Sequence, residues 1–189
     1  MKIRFAKETD VDKLLSIYNE YIDTAITFEY KTPSKKEFLR RIKKIQKTYP
    51  YIVLEENNHI LGYAYAHEYK ERKAYSWSVE TTIYLDKNIC AKGYGQKLYN
   101  TLTDILKKQR VKTAYACVTS ENQNSLKFHK KLGFKEVGIF HNAGYKLNKW
   151  HDIIWLEKPL NKYSIPPSKI LKISGNVFND ITTTLNNMS

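Results

Sequence analysis

Apolar positions recur along this chain with two different periods, and the switches between them predict most of its elements. Lys2 to Ala6 reads as a short strand. Thr9 then acts as an N-cap, with Asp10 and Asp12 in the favourable first turn, for a helix whose Val11, Leu14, Leu15, Tyr18 and Ile22 share one side. Thr24 to Tyr30 is too apolar and β-branched for a purely solvated connection, which makes it a candidate pocket wall. Ser34, with Glu37 three residues on, forms a capping box for a second helix carrying Phe38, Leu39, Ile42 and Ile45. Tyr51 to Glu55 and Ile60 to Tyr69, joined by Glu56-Asn57-Asn58-His59, have the pattern of a hairpin.

The most informative stretch runs from Val79 to Leu98. Side chains in its strand alternate, so Trp77, Val79, Thr81, Ile83 and Leu85 share one face, while Ser78, Glu80, Thr82 and Tyr84 share the other. Glu80 therefore lies on a polar face, where a substrate can reach it. Gly93 and Gly95 flank Tyr94 just where Leu98, Leu102, Ile105 and Leu106 begin to recur at helical spacing. Glycines let the backbone turn tightly and approach a ligand, and a helix start offers unpaired N–H groups to a diphosphate. The glycine pair is weak evidence by itself. It lacks the third glycine of a dinucleotide fingerprint and the Gly-Lys-Ser/Thr ending of a nucleotide-triphosphate loop.

Lys112 to Val118 reads as another strand, Asn122 to Leu132 as a short helix closed by Gly133, and Phe134 to Phe140 and Trp150 to Leu156 as the last strands. The order β-α-α-β-β-β-α-β-α-β-β predicts an α/β domain with a mixed sheet over residues 1–158. From Pro159 the composition shifts to Lys, Ser, Asn and Pro. Residues 159–189 form a C-terminal extension whose Ile170, Leu171, Ile173, Val177, Phe178, Ile181 and Leu185 suit one apolar helical stripe, interrupted by Gly175.

Composition narrows the partners. The 189 residues, 42% of them hydrophobic, suffice for one domain with a real core. Lys plus Arg number 32 against 19 acidic residues, a net charge of +13 that favours an anionic partner without choosing among nucleic acid, membrane surface and phosphorylated small molecule. The densest basic patches, Lys35-Lys36 and Arg40-Arg41 with Lys43-Lys44, lie on a helical pattern and read as a solvated face. Cys90 and Cys117 have no metal-ligand or disulfide spacing, so no metal is expected. With no apolar run of membrane-spanning length, the expected protein is soluble and cytoplasmic.

Several segments taken jointly carry a resemblance: Ile17-Tyr18-Asn19, Thr27-Phe28-Glu29, Lys70-Glu71-Arg72-Lys73-Ala74-Tyr75, Val79 to Tyr84, Asn122 with His129, Leu132-Gly133-Phe134, and Trp150-His151-Asp152. From about Ile3 to Leu156 the chain resembles the GCN5-related N-acetyltransferase (GNAT) superfamily, and within it the phosphinothricin N-acetyltransferase branch. The resemblance implies a mixed, largely antiparallel twisted sheet with helices on both faces, acetyl-CoA as co-substrate and a homodimer. It also implies acetyl transfer to the α-amine of a small amino-acid-like compound such as phosphinothricin, methionine sulfoximine or methionine sulfone. One departure stands at Cys90, where the family's pyrophosphate loop usually begins with Arg or Gln; Lys92 is positioned to restore the charge. The extension from about Leu160 has no counterpart in the branch.

An ammonium must lose a proton before it attacks a thioester, and Glu80 is the expected general base, directly or through a water. A carboxylate held in a core salt bridge is the competing reading. The resemblance assigns backbone groups of Ile83, Tyr84 and Leu85 to the pantetheine arm, and Ala91, Lys92, Gly93, Tyr94, Gly95 and Gln96 to the pyrophosphate. Asn122 would contact the cofactor, cap its helix, or do both. His129 stands where many members carry a tyrosine that protonates the leaving thiolate, with a purely structural histidine as the alternative. Lys70 and Arg72 are candidates for the acceptor's anionic group, and Phe28, Glu29 and Tyr75 for shaping its pocket. Three other functions stay open: acetylation of a protein or peptide amine, an idle acyl-CoA sensor, and a nucleic-acid-binding module. Nucleic acid and membrane partners are not expected. A ping-pong route through Cys90 or Cys117 has no base beside either thiol in sequence.

Overall fold

The computed structural model describes residues 1–89 and 93–173. Its strands are β1 (Lys2–Phe5), β2 (Tyr51–Glu56), β3 (His59–Glu68), β4 (Ser78–Leu85), β5 (Thr113–Thr119), β6 (Lys135–Lys146) and β7 (Lys149–Pro159). The helices are α1 (Val11–Asn19), α2 (Lys35–Gln46), α3 (Tyr94–Lys108) and α4 (Gln123–Lys131). Among the described residues the strands form one sheet in the order β1-β2-β3-β4-β5-β7-β6, antiparallel throughout except for the β4–β5 pair.

Both sheet faces carry helices, as the expected fold requires. Leu98, Leu102 and Leu106 of α3 and Leu126 of α4 pack on one face against Ile52, Leu54, Ala64, Val79 and Ala114. Leu14, Ile17 and Tyr18 of α1 and Phe38 and Ile42 of α2 cover Tyr51, Val53 and Tyr63 on the other. Each fully buried Val, Leu, Ile or Phe among them contributes about 1.5–3 kcal/mol. The alternation expected for β4 is the observed one. Val79 and Thr81 face α3, where Thr81 Oγ1 lies 2.5 Å from the Tyr99 hydroxyl, and Glu80 and Tyr84 face the other way.

Several expectations need correction. Thr9 caps nothing: a 3-10 turn, Glu8–Asp10, precedes α1, and the Asp10 carboxylate accepts from the Lys7 N–H at 2.7 Å while pairing with Arg4. Ser34 does cap α2, accepting from the Glu37 N–H, but the Glu37 carboxylate binds Arg40 and Arg41. The last two strands form a much longer hairpin than the sequence suggested. Leu147 and Asn148, both at positive φ, make its two-residue turn, and an irregularity between Phe140 and Gly144 hides the continuous strand behind turn-like residues.

The extension, up to the last described residue, is not helical. Leu160 is buried, the Leu171 N–H donates to the Gln109 carbonyl, and Ile170 and Ile173 pack on the core. The rest of the expected stripe, 174–189, lies outside the described residues. Among the described residues no helix is long and apolar enough to cross a membrane.

Candidate active site

The site begins where β4 leaves β5. The two strands pair only over Ser78–Glu80 against Thr113–Tyr115, while β5 stays paired with β7 along its whole length. From Thr81 onward a wedge opens between them. The peptide groups facing it follow from the register. Ser78 O accepts from Tyr69 N and Asp86 N donates to Leu61 O, so the even-numbered groups of β4 face β3. The odd-numbered ones face the wedge, and in it Ile83 presents an N–H and a C=O that no described strand pairs. The Leu85 carbonyl is taken by the Tyr21 hydroxyl at 2.6 Å.

A cavity of roughly 1120 Å³ fills this region, and Glu80, Ile83, Tyr84, Asn122, His129, Phe28 and Glu29 all line it. Of the residues expected at the site, these are the ones brought together. Gly93 sits at the start of α3 with φ +74°, the left-handed backbone that a glycine adopts without strain. Gly95 lies inside the first turn, where a Cβ would come within 3.1 Å of the Leu85 side chain, so α3 packs tightly on the end of β4. The Tyr94 hydroxyl donates to Glu56 at 3.1 Å, and Gln96 is exposed on the first turn. Ala91 and Lys92, together with Cys90, lie outside the described residues.

Lys70, Arg72 and Tyr75 do not line the cavity. Lys70 stacks its ammonium over Tyr69 and Tyr75, 5.1 and 5.3 Å from the ring centres, beyond the end of β3. The cations within the cavity wall belong to α2 and the turn after it: Arg40, Arg41, Lys44 and Lys47. Arg41 is already engaged, bonding Glu29 and Glu37.

Glu80 is 24% exposed, and burial pushes its carboxyl above the usual range, with the neighbouring His67 pulling the other way. That is the direction a general base needs. His129 is buried within an aromatic box of Tyr99, Phe128 and Phe134. Its Nδ1 lies 2.8 Å from the Ser125 carbonyl, which can only accept, so Nδ1 carries the hydrogen and Nε2 of the neutral ring is bare. Burial holds the ring below the usual imidazole range. The neutral ring therefore accepts a proton rather than donating one, and donation to a thiolate requires it to be protonated first. Asn122 caps α4, accepting from the Ser125 N–H at 3.1 Å, and reaches the cavity as well.

An aromatic wall of the cavity is not among the residues expected from the sequence. Tyr63, Tyr65 and His67 of β3 stand opposite Tyr84, Thr82 and Glu80, and Tyr51 stacks on Tyr65 with centroids 4.8 Å apart. The i, i+2 spacing of Tyr63, Tyr65 and His67 was the available signal. Lys146 was also missed. Its ammonium is buried and donates to the carbonyls of Ile22, Thr24 and Thr27 at 2.5, 2.8 and 2.7 Å, clamping the segment that ends in Phe28 and Glu29. Behind it, fully buried His151 places Nε2 2.9 Å from the Lys146 carbonyl and Nδ1 2.9 Å from the Glu121 carboxylate. Burial alone would raise Glu121, but His151 and Lys149 hold it down at about 2. Phe28 lies against Gly144, where a Cβ would overlap its ring.

Cys117 also faces the cavity from β5. Cys117 is exposed there, and the surrounding cavity wall, then the Glu80 charge, push its thiol up, which disfavours a thiolate.

Comparison with known proteins agrees with this geometry. A family model described as an acetyltransferase (GNAT) domain matches residues 3–155. Phosphinothricin N-acetyltransferase of Streptomyces viridochromogenes is 32% identical over 154 residues, covering 81% of this chain and 84% of that protein. The L-methionine sulfoximine/L-methionine sulfone acetyltransferase of Salmonella typhimurium is 28% identical, covering 88% and 98%. A phosphinothricin acetyltransferase of Sinorhizobium meliloti, solved in complex with acetyl-CoA, superposes with a TM-score of 0.82 at 30% identity, covering 89% of this chain and 92% of that one. A splayed β4–β5 pair, a glycine-started helix and a carboxylate on the cavity wall thus occur in a chain that belongs to the GNAT acetyltransferase family and is an N-acetyltransferase.

Proposed function

We propose that this enzyme transfers an acetyl group from acetyl-CoA to the α-amine of a small amino-acid-like acceptor by direct attack, with Glu80 as general base. The observation that carries this reading is the Glu80 carboxylate, held on the cavity wall where β4 parts from β5, with its basicity raised by burial. The described residues suit the co-substrate. The Ile83 N–H and C=O face the wedge as a strand partner for the amides of the pantetheine arm. Gly93, left-handed, turns the chain so that the first N–H groups of α3 lie open to the diphosphate. When bound, acetyl-CoA supplies a thioester carbonyl activated towards amines.

The chain's own residues do the rest. Glu80 removes a proton from the acceptor ammonium, and the Ile83 N–H is the donor available to oxyanion charge in the wedge. Tyr51, Tyr63, Tyr65 and Tyr84 wall the acceptor side and exclude water, and Phe28 and Glu29 close it on the clamped 22–29 segment. The acceptor's anionic group meets the cations of α2, since those beyond β3 lie outside this cavity. The names of the relatives point to phosphinothricin, methionine sulfoximine and methionine sulfone as acceptors of this class.

A homodimer belongs to the same proposal. Among the described residues the cavity-side face of β5, β7 and β6 carries no helix, shows Phe140 to solvent, and continues from the cavity at Cys117 and Ile153, with Tyr75 exposed on the turn before β4. Trp155 Nε1, within it, is buried with no acceptor among the described residues. A second copy laid on this face would cover the exposed Phe140 and Tyr75. Free-thiol release from acetyl-CoA, measured across methionine sulfone, methionine sulfoximine, phosphinothricin, plain amino acids and polyamines, tests the acceptor class. Turnover confined to the amino-acid analogues is expected; turnover on polyamines alone would overturn it.

A further inference from the structure

Turning an ammonium into an amide takes two protons from nitrogen. One ends on the departing thiol, and the other must leave the site for solvent in every turnover. The inference below rests on the reading of Glu80 as the base.

His67 stands directly opposite Glu80 in the β3–β4 register, and both line the cavity. Its Nδ1 lies 2.9 Å from the Glu68 carbonyl oxygen, which can only accept, so Nδ1 carries the ring hydrogen of the neutral form. The bare Nε2 then faces Glu80 Oε2 at 3.9 Å. That is about 1 Å longer than an ordinary hydrogen bond, a gap that a small side-chain rotation closes. The imidazole is also the more open of the two, 36% exposed against 24% for Glu80.

We infer that His67 is the resting place and exit for the proton that Glu80 takes from the acceptor, so that Glu80 and His67 work as one proton-accepting pair. An acceptor N–H bond breaks and an O–H bond forms on Glu80. The proton then crosses to Nε2, giving an imidazolium paired with a restored carboxylate, and leaves from the exposed ring to water or buffer. Among side chains, imidazole changes charge nearest neutrality, which suits it to receive a proton from a carboxylic acid and release it. His67 acts through Glu80 and is thus a positioning residue for the proton rather than a catalytic one.

Other groups around the pair are poorly suited to the task. Cys117 on β5 is raised by the cavity wall around it, and Tyr65 on β3 is raised to about 12, first by burial. Glu68 is exposed, next to His67 in sequence. Arg40, Arg41 and Lys44 enter the cavity from α2, and Lys47 from the turn after it, as basic side chains. His129 has its Nδ1 committed to Ser125 and sits in an aromatic box, away from solvent.

The test is the pH profile of kcat/KM for the acceptor in wild type, His67→Gln and Glu80→Gln, with acetyl-CoA binding measured by calorimetry as the check on folding. A ring that receives a proton from Glu80 must be neutral beforehand, so the advantage that His67 gives belongs to the alkaline side of the ordinary imidazole value, about 6.5. The expected result is roughly tenfold lower kcat/KM for His67→Gln at pH 8 in dilute buffer, a smaller difference at pH 5.5, and recovery at pH 8 on adding imidazole. Superimposable profiles, or a uniform loss that imidazole does not restore, would overturn the inference. If Glu80→Gln keeps turning over, the base assignment itself fails. If Glu80→Gln is dead while His67→Gln follows wild type, only the role of His67 fails. His67→Asn serves the same measurement should the Gln variant not bind acetyl-CoA.

Discussion

Glu80 occupies a position that costs the fold stability. Its folded carboxyl titrates above the usual range because it is partly buried, so the folded state favours the protonated form. Stability from this group is present at low pH and is lost as pH rises from the ordinary carboxylate value through the raised folded one. Glu80→Gln should therefore have a higher Tm than wild type at pH 7.5, and the difference should vanish below about pH 4, the ordinary glutamate value. Equal Tm values at pH 7.5 would mean that the charge is fully compensated. Gly93 makes a second prediction at this scale. No described atom lies within 4 Å of a Cβ placed there, so Gly93→Ala should cost mainly the backbone strain, roughly 1–2 kcal/mol in denaturant unfolding. Gly93→Asn should recover part of that loss, because Asn tolerates the same region.

The elements that place these residues were unequally legible. The faces of β4, the glycine start of α3 and the Ser34 cap followed from local rules, because period and capping are set by near neighbours. The His141–Lys146 half of β6 did not, since Asn142 and Gly144 read as turn residues and are in fact part of an irregular strand against β7. The Lys146 clamp was equally hidden: it joins β6 to carbonyls more than a hundred residues earlier, and a lone lysine carries no local sign of burial. Lys146→Met should loosen the 22–29 segment. We expect acceptor KM to rise about tenfold or more with acetyl-CoA KM within twofold, the split that separates loop positioning from general damage. A parallel rise in both constants would contradict that assignment. Lys70 and Arg72, which the resemblance puts near the acceptor's anionic group, lie beyond the end of β3 and do not line this cavity, whose described cations come from α2 and the turn after it.

At the scale of the molecule, the fold is a GNAT sheet whose described helices cover β1 to β4 on the cavity side and leave β5, β7 and β6 without a helix among the described residues. Phe140→Asp, on that bare face, should shift a dimer towards monomer in sedimentation equilibrium; an unchanged mass would place any assembly elsewhere. The +13 charge is spread over many surface lysines and fits an enzyme for anionic substrates no better than other anion binders. The carboxylate inside the cavity is what separates a transferase from a sensor or a nucleic-acid-binding module. The deciding measurement is thiol release by Glu80→Gln at saturating acceptor and acetyl-CoA, with acetyl-CoA binding followed by calorimetry. A loss of kcat of about 10²–10⁴-fold with acetyl-CoA affinity within twofold is the predicted result for a general base. Undiminished thiol release by a variant that binds acetyl-CoA normally would contradict it.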